Sequence, residues 1–251
     1  MHIRKHLSAY SLVTLAIAAF LFAGESRAQD YGANRVQDRE DAVRVQDGDS
    51  DVQVYWVFLT TGKPTAGVPQ EEIADMQAAH LQNFGRLAQA GKLLTAGPMK
   101  DPDATLRGIV VLQAKDLDEL NAMFAQDPYV TQGYMNVESH HAELSVGKFT
   151  TKLNEQGLDE LRIAVISSES QTGSLPEADI TALREASDIQ TAMVASFSGE
   201  SARRGCIIFR STDDEQIKTA LDRLSSIQIG KLSYALMPQF LGKGALEQAD
   251  D

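Results

Sequence analysis

The order in which strand-forming and helix-forming segments alternate is the feature that most constrains this chain. Residues 52–60, VQVYWVFLT, are rich in β-branched and aromatic side chains and predict a strand. A helix follows from Pro69 to a C-cap glycine at Gly91. Two shorter strand-forming segments come next, at residues 93–99 and 107–114. The first half of the chain therefore begins in the order β-α-β-β.

A second helix and a long strand complete this order. Asp116 and Glu119 have the spacing of an N-cap and capping-box pair for a helix over residues 116–126. Residues 136–149 then predict a fourth strand. The resulting β-α-β-β-α-β order is the ferredoxin-like plan, in which two helices cover one face of an antiparallel sheet.

The same order recurs in the second half of the chain. Four more strand-forming and two helix-forming segments follow, at residues 161–168, 176–188, 191–199, 203–211, 213–226 and 231–241. A repeat after about 105 residues indicates a duplication. We therefore predict an α+β fold of two tandem ferredoxin-like units, residues 52–150 and 161–245, joined by a linker over 151–160.

Each unit would have one sheet face that its own helices do not cover. Pairing the two open faces buries both of them, which predicts a pseudo-dimer around a shared cavity. The units could pair within one chain or with a second copy in a homodimer. A single larger mixed sheet is the alternative.

The N-terminal residues have the features of a secretory signal peptide. Basic side chains at residues 4–6 precede an apolar run over 12–23, and residues 26–28 supply small side chains at the cleavage spacing. The run is short for a membrane span of roughly 20 residues. We therefore expect cleavage after Ala28, a periplasmic or secreted location and no membrane span in the mature chain. Residues 29–51 are polar and charged and predict a flexible lead-in.

The net charge and the cysteine count exclude several classes of function. The formal net charge is −12, and the predicted signal peptide holds more basic than acidic residues, so the mature chain is more acidic still. Such a surface repels phosphate, and we expect no nucleic-acid partner. Cys206 is the only cysteine, so an intramolecular disulfide and a thiol-based metal site are excluded. Its place in the apolar run CIIF predicts a small buried hydrophobe.

One histidine departs from the pattern of its own helix. Ile73, Met76 and Phe84 form the apolar stripe of the first helix, and His80 lies four residues from each of the last two. His80 should therefore face inward. A buried imidazole needs a polar partner or a site to serve. A satisfied core histidine and a functional histidine are both consistent with this pattern.

Asp127 also has two interpretations. It precedes Pro128 and Tyr129, just after the second predicted helix. As a structural residue it would cap a short helix with proline in its first turn. As a functional residue it would fix the imidazole of His80 and raise its basicity, because the two helices pack on one sheet.

The closing strand adds polar groups where packing would be expected. By alternation, Asn136, Glu138 and His140 share one face of this strand. They would line a cavity wall or lie near an exposed strand end. We take Glu138, His140 and Arg107 as weaker pocket candidates, with Arg107 available to an acidic substrate or to a nearby aspartate.

Several standard sites are absent from the sequence. No tight ligand spacing such as HxxxH occurs, so we predict no metal. The motifs GxSxG, GxxxxGK, GxGxxG and HExxH are also missing, which argues against the common cofactor enzymes. We expect no cofactor and a small-molecule ligand.

Residues 53 to about 145 resemble the YCII-related family of the dimeric α/β barrel class. The resemblance rests on the segments YWVFLTTGKP, AAHLQNFGRLAQAGKLLTAGPMKD, RGIVVL and DPYVTQGYMNVESHH. In that family the helical histidine and the aspartate before proline are regarded as a catalytic pair, which corresponds to His80 and Asp127. Some members carry a glutamate and a histidine two residues apart on the last strand, like Glu138 and His140.

The resemblance implies a fold and a hypothesis about function. The second half has no histidine and has Ser225-Ser226-Ile227 where DPY would fall, so it looks like a degenerate copy. We expect an exported, cofactor-free enzyme in which His80 is the general acid or base and Asp127 orients it, for an elimination or isomerisation of a small organic molecule. A non-catalytic ligand-binding or scaffold module is the alternative.

Overall fold

A computed structural model describes residues 52–150, 157–170 and 174–247. The predicted signal peptide and lead-in, residues 1–51, lie outside the described residues. Among the described helices, none is both long and apolar enough to span a bilayer.

The first half follows the predicted order, with one short helix added before the last strand. Its elements are β1 (Gln53–Thr61), α1 (Gln70–Gln89), β2 (Leu93–Pro98), β3 (Leu106–Ala114), α2 (Leu117–Phe124), α3 (Pro128–Thr131) and β4 (Met135–Val146). The predicted capping box is present: Asp116 accepts from the Glu119 amide at 2.8 Å, and Glu119 accepts from the Lys115 amide at 2.7 Å. Gly91, just past α1, has a φ of +66°, the left-handed conformation that ends many helices.

The second half repeats this order. Its elements are β5 (Leu158–Ser167), α4 (Glu177–Glu185), β6 (Thr191–Phe197), β7 (Arg203–Phe209), α5 (Asp214–Leu221), α6 (Ser225–Gln228) and β8 (Ser233–Gly242). β5 starts inside the predicted linker, because its first residues still pair with the end of β8. The helix predicted over 213–226 is divided into α5 and α6, so both halves end with a short helix before the last strand.

The strands of both halves form one barrel. Their order is β2-β3-β1-β4-β6-β7-β5-β8, and every pair within the described residues is antiparallel. β4 and β6 join the halves along one seam. At the other seam, Met99 and Gln239 form an isolated bridge, and the Lys100 amide donates to the Pro238 carbonyl at 3.0 Å. The predicted α+β fold is confirmed, and the two units pair within one chain.

The inside of the barrel is packed with apolar side chains. Trp56, Phe58 and Phe197 are at most 1% exposed, and the Phe197 ring lies 6.1 Å from each of the other two rings. These rings lie where we predicted a shared cavity between the two units, and large aromatic side chains can fill the interior of an eight-stranded barrel. Two further apolar clusters lie outside the barrel, one under the helices of each half. Cys206 is buried in the interior, and burial raises the pKa of its thiol well above the usual value, as expected for a packing residue.

Replacing Gly97 with alanine tests the seam between β2 and β8. A Cβ at Gly97 would lie 1.7 Å from the carbonyl oxygen of Phe240 on β8. We expect Gly97→Ala to lower the free energy of unfolding by about 2 kcal/mol or more, because the two strands must separate. Gly85→Ala is the control: a Cβ there meets nothing within 4 Å, and alanine in a helix should stabilise by about 0.5–1 kcal/mol. Denaturant unfolding measures both, and equal effects would contradict close contact at the seam.

Candidate functional site

His80 and Asp127 form a buried hydrogen-bonded pair under the helices of the first half. The Nδ1 atom of His80 lies 2.6 Å from Oδ2 of Asp127, and the two residues are 2% and 0% exposed. The other carboxylate oxygen accepts from the Tyr129 amide at 3.1 Å, so Asp127 also caps α3. The structural and the functional arrangements predicted for Asp127 are thus present together.

Aromatic rings hold the imidazole on two sides. The Phe84 ring centre lies 4.4 Å from that of His80, and Tyr129 meets the imidazole edge to face at 5.5 Å. Within the described residues, the second ring nitrogen, Nε2, makes no hydrogen bond. With Nδ1–H donated to the carboxylate, Nε2 keeps its lone pair and can accept a proton.

Gln77 provides a second unsatisfied group on the same helix. It lies one turn before His80, is 7% exposed, and its amide nitrogen has no hydrogen-bond partner in the part of the chain that the structure describes. Side chains three residues apart are neighbours on a helix surface. A buried donor without an acceptor lowers the stability of the fold by about 1–3 kcal/mol. A ligand that offers an acceptor to the Gln77 amide would remove this penalty.

Arg107 lies at the start of β3, near enough to Tyr129 for its charge to act on that residue. Burial raises the pKa of the Tyr129 hydroxyl, and the nearby charge of Arg107 opposes that rise. Arg107 also lines a cavity of about 150 Å³ together with Lys100 and Phe240, although His80 and Asp127 are not in its lining. Arg107 forms no ion pair with a nearby aspartate among the described residues, and Asp101 instead accepts from Thr105 and the Leu106 amide.

Glu138 and His140 lie elsewhere, inside the barrel wall. His140 stacks on Phe197 with ring centres 4.7 Å apart and lies 3.0 Å from Glu138 through Nε2 and Oε1. Phe197 belongs to the interior cluster, whereas the neighbours of His80 belong to the cluster under the helices. The structure therefore separates His80 and Asp127 from Glu138 and His140 on opposite faces of the sheet, and Arg107 lines a cavity that includes none of these four.

Arg203 joins Glu138 and His140, although no local sequence pattern pointed to this arginine. Arg203, at the start of β7, donates from Nη1 to Glu138 Oε2. The hydrogen bond with His140 and the charge of Arg203 hold the pKa of Glu138 below its ordinary value, although burial opposes them. Arg203 comes from the other half of the chain, so its meeting with Glu138 depends on how the halves pair. Among the described residues, no three His, Cys, Asp or Glu side chains could together hold a metal ion.

The second half has its own polar link between the long and the short helix. Asp179 on α4 accepts from the amide and the hydroxyl of Ser225 at 3.0 and 2.9 Å, and likewise from both groups of Ser226 on α6. Burial acts to raise the pKa of Asp179, but these hydrogen bonds together lower it. In both halves, therefore, a carboxylate caps the short helix and ties it to the long one. Only the first half adds an imidazole.

Comparisons with known proteins agree on the fold. Residues 54–139, in the first half of the chain, match the model of the YCII-related domain. A mutant chlorite dismutase from Candidatus Nitrospira defluvii, in complex with cyanide, is 11% identical with a TM-score of 0.52, and the match covers 75% of this chain and 90% of that one. That likeness supports the dimeric α/β barrel fold.

Two further solved structures are more distant. A putative monooxygenase from Lactobacillus acidophilus NCFM has 11% identity and a TM-score of 0.44, covering 80% of this chain and all of that one. A putative chlorite dismutase has 10% identity and a TM-score of 0.46, covering 78% and 95%. No curated protein matches the sequence.

The link in the second half can be tested without knowing a ligand. Asp179→Asn should lower the free energy of unfolding at pH 7 by about 2 kcal/mol, because hydrogen bonds to a charged acceptor are lost. A carboxyl with a lowered folded pKa stabilises fully above its unfolded pKa of about 4, and this contribution is lost as the pH falls through the folded pKa. The difference from wild type should therefore shrink at acid pH, as urea unfolding at pH 7 and pH 3 would show. Asp188→Asn, at an exposed position, is the control and should have little effect at either pH.

Proposed function

We propose that this protein is an exported enzyme that transfers a proton on a small organic molecule, in an elimination or an isomerisation, without a cofactor. The observation that carries the proposal is the 2.6 Å contact between His80 and Asp127, which leaves Nε2 of the imidazole without a partner in the described residues. An imidazole oriented by a buried carboxylate is a common general acid–base arrangement.

The roles follow from the geometry of the pair. Asp127 accepts from Nδ1–H, which fixes the tautomer that has its lone pair on Nε2. When Nε2 takes a proton from the substrate, the adjacent carboxylate stabilises the imidazolium. The same nitrogen then returns the proton at another atom of the substrate or to a leaving group. Phe84 and Tyr129 hold the ring in one orientation during both steps.

The substrate must gain access to a nearly buried ring. His80 is 2% exposed, so a neighbouring side chain has to move before a substrate atom can reach Nε2. Gln77 lies one helical turn away, and its buried amide has no acceptor within the described residues. An oxygen of the substrate would satisfy this donor, which favours an oxygenated molecule.

Arg107 extends this site toward an acidic substrate. Its charge acts on Tyr129, whose ring packs against His80, and it lines the cavity of about 150 Å³ at the start of β3. Within the described residues it forms no ion pair, so its guanidinium is available to a carboxylate. A small oxygenated acid would then hold its anion at Arg107 and its reacting carbon toward His80.

A non-catalytic ligand-binding or scaffold module is the second candidate. It is favoured by the second half, where Asp179 and two serines make the same link between helices with no imidazole at all. The burial of His80 and Asp127 also suits a purely structural pair. In this case, the pair would fix the short helix, and its loss would reduce stability alone.

Proton exchange distinguishes the two candidates before the substrate is known. A panel of small keto acids, lactones and unsaturated acids is incubated with the protein in D₂O, and loss of C–H signals is followed by ¹H NMR. We expect at least one compound to exchange, and His80→Asn to slow that exchange by about 10²–10⁴-fold, the usual contribution of a general base. Asp127→Asn should slow it as well, because the imidazole loses its orienting acceptor.

The control separates catalysis from folding. His141→Asn removes a histidine that contacts Ser198 and Tyr55 and makes no hydrogen bond to His80 or Asp127 among the described residues, and it should leave exchange unchanged. Circular dichroism confirms that each variant is folded. Exchange of no compound, or equal exchange by wild type and His80→Asn, would favour the scaffold module.

Cleavage of the N-terminal signal can be tested independently of the enzyme activity. Residues 1–28 have the basic start, apolar run and small residues of a cleaved signal, and they lie outside the described residues. We expect the protein recovered from the periplasm or medium to begin at Gln29. N-terminal sequencing measures this directly. A full-length chain retained in the cytoplasm would contradict it.

A further inference from the structure

A charged group lies where the two halves meet, away from His80. Glu138 accepts from His140 through one carboxylate oxygen and from Arg203 through the other. His140 is nearly buried between Phe197 and Phe58, with ring centres at 4.7 and 5.8 Å. The side chains of Glu138 and Arg203 remain 34% and 26% exposed. Solvent can therefore reach the two charged members of the group.

The barrel wall leaves an approach to this group. β4 pairs with β1 over Met135–His141, but it pairs with β6 only from Ala142 onward. Before Ala142, one edge of β4 has no neighbouring strand in the described residues. The turn over residues 198–202 lies beside this edge, because the Ser198 amide donates to the His141 carbonyl at 3.1 Å.

The turn that leads into Arg203 is held rigidly. The guanidinium of Arg204 donates to the carbonyls of Phe197, Gly199 and Ser201 at 2.9–3.0 Å. Arg204 is 2% exposed, so these bonds are buried inside the turn. A fixed turn places the neighbouring Arg203 beside Glu138 without further loss of conformational freedom, which favours binding.

The group has hydrogen-bond donors to spare. A guanidinium has five N–H donors, and Arg203 uses only Nη1, toward Glu138, within the described residues. One carboxylate is therefore shared by an imidazole and a guanidinium, and the guanidinium has N–H donors left to bind more oxygen atoms. The group can accept an additional anion.

We propose that Arg203, His140 and Glu138 form a binding site for a small carboxylate, built jointly by the two halves of the chain. The ligand carboxylate binds the guanidinium of Arg203 and displaces Glu138 from it. Glu138 then keeps only its bond to His140. Arginine suits this role because its planar donors match the two oxygens of a carboxylate. This site lies on the opposite face of the sheet from the proposed acid–base pair and does not depend on it.

Benzoate binding tests the site, with benzamide as the uncharged ligand of the same shape. We expect benzoate, but not benzamide, to shift backbone amide signals of β4 and of the 198–203 turn in ¹H–¹⁵N NMR spectra. Arg203→Gln should abolish these shifts, while Arg203→Lys should weaken binding several-fold by losing the paired donors. Arg223→Gln, at an exposed arginine on α5's C-terminal side, is the matched control and should bind as wild type does.

Glu138→Gln gives the sharpest expectation. It removes the carboxylate that competes for Arg203, so benzoate should bind about tenfold tighter, since like charges in one site repel. An ion pair with only a structural role predicts the opposite: lower stability of Glu138→Gln and no benzoate binding in any variant. That result, or benzoate shifts that survive Arg203→Gln, would overturn the proposal. If Glu138→Gln does not fold, wild type against Arg203→Gln decides.

The His80→Asn variant keeps the two proposals apart. It should bind benzoate with wild-type affinity, because His80 contacts a different apolar cluster from the one around Phe197. Loss of proton exchange with intact benzoate binding would support both sites. Loss of benzoate binding in His80→Asn would instead show that the ligand binds under the helices and would remove the site between the halves.

Discussion

The fold depends on burial of the two sheet faces that the helices leave open. Each half places large apolar side chains on that face, and the interior of the barrel is made by both halves together. Complete burial of one such side chain stabilises by about 1.5–3 kcal/mol, so neither half would be stable with this face in water. The helices, the short capped helices and both polar groups are positioned by that shared interior.

Much of the fold could be predicted from the residues, because it follows from local patterns. Alternating β-branched residues, a capping box at Asp116 and a glycine at Gly91 give the order of strands and helices correctly. The contents of the barrel could not be predicted, since alternation says which residues share a face but not how their volumes fit. Trp56 and Phe197 come from different halves, and only the structure shows that their rings pack against each other, with centres 6.1 Å apart.

Local sequence patterns likewise predict some residues of the candidate site but not others. His80 departs from an apolar stripe, and Asp127 precedes a proline at a helix start, so both could be found, and their helices share one sheet face. Glu138 and His140 were also found, but they were assigned to the same pocket because strand alternation does not say which face packs inward. Arg203 carries no local signal: it begins an ordinary strand, and its role depends on contact across 65 residues of sequence.

The two seams of the barrel are unequal, and this has a consequence for motion. One seam is a ladder between β4 and β6, whereas β2 and β8 meet at a single bridge beside the cavity that Arg107 lines. Transient opening requires fewer broken hydrogen bonds at the second seam. Gln239 lies there: its side-chain amide donates to the Pro98 carbonyl at 3.1 Å across the seam, while its side-chain carbonyl is buried without a partner in the described residues. The barrel should therefore open transiently at the seam between β2 and β8, while the ladder between β4 and β6 stays paired and acts as the hinge.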